Sequence, residues 1–270
     1  MLTAILLGAA DFGRAAERVI SLGGDVTEIV YGLGEGDAVV AVDLTSTYPE
    51  AAAKLPRVGY VRRLSAEGIL ALEPKLVIAT ADAGPPEVLD QLESAGVKVV
   101  RLPEPEGLAS IREKIRLVAD ALGEQEKGAE LIAKFDADYA AAQKVLESEG
   151  EIDAVYVMAR PDGALSVAGQ GTAADTVLNE AGLRNATADH TGYKPVNAEA
   201  LLAIDPDVIV TGTRTVEGAG GMEQFKANPA VSTTSAAQND RILVFDEMYL
   251  LGLGPRAAQA VKELAESARR

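Results

Sequence analysis

Tyr60 sits just ahead of Arg62 and Arg63 in the stretch GYVRRLSAEG (59–68), within a chain that carries 41 acidic against 25 basic residues. A free phenol ionises near pH ~10, so an anionic oxygen at neutral pH needs neighbouring positive charge or a metal. In an extended segment residues 60 and 62 project to the same side, and Arg62 can donate a hydrogen bond to the phenol oxygen. Tyr60 is then a hard oxygen ligand held anionic by a guanidinium. The competing reading is a turn that pins one aromatic ring and leaves two solvated arginines. His190 is the single histidine, and cysteine is absent. Multi-histidine metal cages and thiolate sites are therefore excluded, and a Ser-His-Asp triad would depend on His190 alone.

The elements that must position these groups alternate along the chain. At 270 residues, one large or two small domains are expected. RVISLGG and DAVVAVD read as short buried strands on either side of a helix, DVTEIVYGLG. KLVIAT (75–80) and VKVVRLP (97–103) continue the series, with the helix PPEVLDQLESAG between them. From about Leu108 to Ser148 the texture is helical, broken at Gly123, and the second piece, EQEKGAELIAKFDADYAAAQKVLES, is long enough to bridge two lobes. Alternation then resumes with DAVYVMA (153–159), ALSVAG (164–169), a helix near 172–181, DVIVTG (207–212), RILVFDE (241–247) and a final helix from Pro255.

An internal echo organises this series. LSAEGILALEPKLVIAT (64–80) matches VNAEALLAIDPDVIVTG (196–212) at a constant offset, with Ser65 and Asn197 as expected N-caps and Pro74 and Pro206 ending each helix before a strand. Gly59-Tyr60 and Gly192-Tyr193 precede the two copies, one residue out of register. The fold class that follows is α/β: two similar parallel-sheet lobes joined by one long linker helix, with a ligand cleft between the lobes. The expected boundaries are a signal-peptide remnant at 1–16, an N-terminal lobe at 17–123, the linker helix at 124–149 and a C-terminal lobe at 150–270.

The formal charge of −16 argues against nucleic acid or an anionic membrane surface as partner. The apolar run Leu2–Ala10, with small residues near Ala10 and Ala15, reads as the tail of a secretory signal without its basic start; a short buried element is the alternative. No other apolar run approaches the ~20 residues that span a bilayer.

From about Ala16 onward the chain resembles the periplasmic solute-binding proteins of ABC importers that have a rigid single-helix linker, a group with vitamin B12-, siderophore- and haem-binding members. GYVRRLSAEGILALEPKLVIA, GYKPVNAEALLAIDPDVIV and LLGLGPRAAQAV look most like the haem-binding HmuT-type members. The resemblance implies a periplasmic, monomeric carrier that performs no chemistry and delivers haem, its transported ligand, to a permease driven by an ATPase. It implies Tyr60 as ligand to ferric haem iron, for which tyrosine is a known axial ligand, with Arg62 keeping the phenolate anionic. Arg63 and Arg214 are the candidates for the haem propionates, and His190 is a candidate second iron ligand. Tyr193, where Lys194 and Pro195 replace the arginines, reads as pocket wall. Glu67 and Glu199, at matching positions of the two copies, are expected to pair with arginines of the permease.

Other readings use the same residues. A siderophore or corrinoid carrier of the same fold needs no activated tyrosine. An α/β hydrolase would need Ser166 or the Gly-rich stretch GALSVAGQGT (163–172), yet the chain has neither a phosphate-loop signature nor a Gly-x-Ser-x-Gly elbow there. A bare interaction module would bind no small molecule.

Overall fold

The computed structural model describes residues 18–146, 150–160 and 163–270. The leader expected at 1–16 lies outside them.

Four short apolar runs form the first sheet: β1 (Val19–Leu22), β2 (Val39–Val42), β3 (Leu76–Ala79) and β4 (Lys98–Arg101), in the order β2-β1-β3-β4 and all parallel. Every residue of β1 and β3 is buried, as a parallel sheet covered on both faces requires. The second sheet contains β5 (Asp153–Ala159), β6 (Leu165–Ala168), β7 (Arg184–Asn185), β8 (Tyr193–Val196), β9 (Val208–Gly212) and β10 (Ile242–Phe245). Its order is β10-β9-β5-β6-β8, with the two-residue β7 also paired to β5. Strands β10, β9, β5 and β7 are parallel, while β6 runs antiparallel to both β5 and β8. The protein is thus the expected two-lobe α/β fold, and its second sheet is mixed. Strand β8 holds Pro195 opposite Ser166. Proline is tolerated there because β8 is an edge strand.

The helix Ile111–Leu122 closes on Gly123 in the left-handed conformation, φ 72°, and the 21-residue helix Gln125–Val145 follows. At 1.5 Å per residue that helix is about 32 Å long. It packs on Ile111–Leu122 and on the C-terminal helix Ala257–Ala268. A Cβ added at Gly128 would lie 2.5 Å from Ala119 Cβ, so the first crossing is close enough to demand glycine.

One hydrophobic cluster runs from the first sheet (Val19, Leu76, Ile78) through the long helix (Phe135, Ala142) into the second sheet (Ala154, Tyr156, Val210). Separate clusters cover the remaining face of each sheet. The lobes therefore share their central core, and polar ties cross with it. Lys114, almost fully buried, forms an ion pair with buried Asp25 and donates to the Leu253 carbonyl at 3.1 Å. Arg256 makes a two-pronged bond to buried Glu28, Nε to Oε2 at 2.9 Å and Nη2 to Oε1 at 2.5 Å, and its guanidinium lies 3.6 Å from the Tyr48 ring centroid. Burial lifts the Glu28 carboxyl above its ordinary value while Arg256 pulls it down. Near the start of the long helix's second half, Glu180 accepts from Leu108 N at 3.1 Å and from Tyr139 Oη at 3.0 Å.

The sequence echo extends to the backbone. Glu73 and Asp205, each just before the proline of its copy, both adopt positive φ, 48° and 40°. The caps differ: Asn197 Oδ1 accepts from Ala200 N at 2.8 Å, whereas Ser65 makes no side-chain cap bond. Asn197→Ala should therefore lower stability by about 1 kcal/mol, and Ser65→Ala should stay within about 0.5 kcal/mol of the parent; urea unfolding of the two variants checks the asymmetry.

Candidate functional site

The loops that leave the carboxyl ends of β1 and β2 are built around one carboxylate. Fully buried Asp43 accepts from Gly23 N at 2.9 Å, from Thr45 N and Oγ1 at 2.7 Å each, and from Ser46 Oγ at 2.7 Å. This leaves Leu44 exposed, and Leu44 N donates to Gly59 O at 2.9 Å, which ties the loop to the turn carrying Tyr60. Gly59 takes φ 107° and Arg63 N donates to Tyr60 O at 2.7 Å. Val61 and Leu64 point into the core, so Tyr60, Arg62 and Arg63 are left on the outside.

Tyr60 is 40% exposed. Arg62 Nη1 donates to its phenol oxygen at 2.8 Å, and Arg62 Nη2 pairs with Asp82. The hydrogen bond expected from the two-residue spacing is present. Asp82 was not among the sequence candidates: it lies 20 positions beyond Arg62 in the turn after β3, and no local pattern marks it.

Tyr193 opens β8 in the second sheet. Burial pushes its phenol up, and the charge of Arg62 opposes this, which brings the two side chains within electrostatic reach. A raised phenol stays neutral at pH 7. Behind it, burial raises buried Tyr156, with Tyr193 and Glu247 adding to the effect. Among the exposed large apolar side chains, Leu44, Tyr48, Tyr60 and Tyr193 belong to these loops and strand edges, and only Leu202 lies on a helix elsewhere.

The remaining candidates are dispersed. Arg63 is exposed, and its side chain has no partner among the described residues. Arg214 is exposed just past the carboxyl end of β9; its backbone N–H donates to Glu247 Oε1 at 2.8 Å, which fixes the start of the helix Thr213–Gly218. The His190 side chain is 6% exposed, with Nδ1 3.1 Å from Asp189 Oδ1 and Nε2 enclosed without a partner among the described residues. It packs on Gly169, where a Cβ would sit 2.2 Å from His190 O. The ring is largely covered, so a ligand role requires it to leave this pocket. Glu67 and Glu199 are exposed in the first turns of the matching helices Ala66–Leu70 and Ala198–Ile204. Ser166 is buried in β6, where no substrate reaches it.

The sequence pattern described as periplasmic binding protein matches residues 19–249. The chain belongs to the periplasmic binding protein family. Solved structures similar to this family member include the periplasmic heme-binding protein RhuT from Roseiflexus sp. RS-1, 41% identical with a TM-score of 0.89 over 93% of this chain and 97% of that one. The periplasmic heme-binding protein BhuT, in complex with two hemes, is 39% identical with a TM-score of 0.88 and the same coverage. The heme-binding protein HmuT is 29% identical with a TM-score of 0.83, over 94% of this chain and 84% of that one; variants of it with known structures replace a tyrosine and the arginine two positions beyond it. Curated relatives include the uncharacterized ABC transporter substrate-binding lipoprotein YvrC of Bacillus subtilis (strain 168), 29% identical over 94% of this chain and 80% of that protein. The vitamin B12-binding protein of Vibrio parahaemolyticus serotype O3:K6 is 27% identical over 93% and 88%. This periplasmic binding protein of an ABC importer is accordingly a solute carrier and not an enzyme. No helix among the described residues is long and apolar enough to cross a membrane.

Proposed function

We propose that this protein carries haem in the periplasm and hands it to the permease of an ABC importer. The observation that carries the reading is the Arg62–Tyr60 hydrogen bond of 2.8 Å on a half-exposed phenol. Among the described residues no group of three or more His, Cys, Asp or Glu side chains could hold a bare metal ion. A lone phenol oxygen cannot hold one either, but it completes the coordination of a metal that arrives inside a macrocycle. The exposed apolar side chains around Tyr60 fit the faces of a porphyrin, and the exposed guanidinium of Arg63, with Arg214 just past the end of β9, supplies charge for its propionates. Net charge opposes a dianionic ligand only weakly, because the Debye length is ~8 Å at physiological salt.

In this reading the lobes 17–123 and 150–270 flank the cargo, the helix within 124–149 fixes their separation, and Glu67 and Glu199 meet the permease. Surface ion pairs contribute little individually, yet one on each lobe sets the docking orientation.

A corrinoid is the second reading, favoured by the vitamin B12-binding relative at 27% identity. Titration with hemin and, separately, with cyanocobalamin decides between them. Hemin should give a saturable Soret change and a phenolate-to-iron charge-transfer band, with no response to cyanocobalamin. A response to the corrinoid alone overturns the haem reading.

A further inference from the structure

We infer that Asp82 is a positioning residue for the ligand oxygen: it fixes the Arg62 guanidinium so that its second nitrogen meets Tyr60. The inference deepens the haem reading and rests on it for its functional part.

Arg62 is a long side chain, 60% exposed, and a single hydrogen bond does not hold such a chain in one rotamer against its side-chain entropy. The guanidinium is planar, with its donors in a rigid fork. Fixing one prong therefore aims the other. Asp82 takes the Nη2 prong and Tyr60 Oη takes Nη1. The two ends of this relay rest on one backbone unit. Gly84 N donates to Val61 O at 2.8 Å, and Leu64 N donates to Gly84 O at 2.9 Å, so the turn holding Asp82 is stitched on both strands of contact to the turn holding Tyr60 and Arg62. Ala83 N closes the Asp82 turn on Thr80 O at 3.1 Å, while Val61, Leu64 and Ala83 bury their side chains in one cluster beneath it. The two turns cannot separate without breaking that unit.

Asp82 also keeps Arg62 from other anions. A free guanidinium beside the gap would rotate onto a ligand carboxylate, abandoning the phenol oxygen. With one prong taken, Arg62 serves Tyr60, and anionic groups of the cargo are left to Arg63, which has no side-chain partner among the described residues.

Two experiments test this, one without cargo. In the ligand-free protein, 15N spectra of arginine side chains should show slowed guanidinium rotation for Arg62, retained in Tyr60→Phe and lost in Asp82→Ala. Rotation that stays slow in Asp82→Ala but becomes free in Tyr60→Phe overturns the proposal, because the phenol would then be holding Arg62. With hemin bound, Asp82→Ala should release it roughly tenfold faster, the loss of about one charge-assisted hydrogen bond, and weaken the phenolate-to-iron band. Asp82→Asn, which keeps an oxygen acceptor for Nη2, should restore much of both. An unchanged band and release rate in Asp82→Ala overturn the functional part. Failure of the parent protein to bind hemin defeats the haem reading while the ligand-free spectra still judge the positioning role.

Discussion

Lys114→Ala should lower the free energy of unfolding by about 3–5 kcal/mol, the cost of leaving one member of a buried ion pair behind. Lys114 and Asp25 are both nearly inaccessible, and Thr80 Oγ1, at 3.1 Å, is the other group that donates to the Asp25 carboxylate. Without the ammonium, a charge remains in a medium where water does not reach it, and the Leu253 carbonyl loses its 3.1 Å donor as well. A typical domain is stable by ~5–15 kcal/mol, so the loss is a large share of the whole. The double variant Lys114→Met with Asp25→Leu should recover most of it, since removing both charges removes the desolvation problem. Urea unfolding monitored by circular dichroism reads both results. A loss below about 1 kcal/mol in Lys114→Ala would mean that the pair is solvated like a surface contact.

Tyr60→Phe should weaken hemin binding by roughly a hundredfold, about 2.7 kcal/mol, and abolish the phenolate-to-iron band. The substitution removes one oxygen and leaves ring, turn and core in place: Val61 and Leu64 still anchor the segment, and Arg62 keeps Asp82 as a partner. Stability should therefore be almost unchanged, which separates loss of a ligand from loss of a fold. Tyr193→Phe provides the contrast. Its phenol is raised by burial and is not the iron ligand in this reading, so the band should persist. Absorption titrations of the three proteins make the comparison, and a band that survives in Tyr60→Phe but vanishes in Tyr193→Phe would assign the iron to the other lobe.

Much of the fold was legible because parallel strands with both faces covered read as continuous apolar runs: LVIA and VISL could hardly be anything else between turn residues. The echo was legible for a related reason. A helix ended by a positive-φ residue and proline, then a strand, needs the same residue types wherever it recurs, and Glu73-Pro74 and Asp205-Pro206 supply them. Strand β8 was not legible. Its residues Tyr193–Val196 include a lysine and a proline, and they pair as an edge strand through the backbone alone. At the site, the Tyr60–Arg62 pair could be read from its two-residue spacing, although the segment is a turn closed by Arg63 N on Tyr60 O and not the extended stretch expected. Asp82 could not, since its meeting with Arg62 is made by backbone bonds through Gly84 between separate loops. His190 shows the converse difficulty. Its residue type suggested a ligand, but the absence of a side chain at Gly169 gives its ring a place to hide, and a glycine's role as a cavity is invisible in the sequence around it.

The continuous interior that joins the two sheets bears on time as well as on stability. Closely packed interiors do not deform by small continuous amounts, so a swing of the lobes would have to break the packing of Phe135 and its neighbours along with the Arg256–Glu28 and Lys114–Leu253 contacts. Such a body works as a fixed vice and not as a jaw. In the proposed role, keeping the cargo falls to a few atoms at the rim, and unloading to force applied from outside, through Glu67 and Glu199 together.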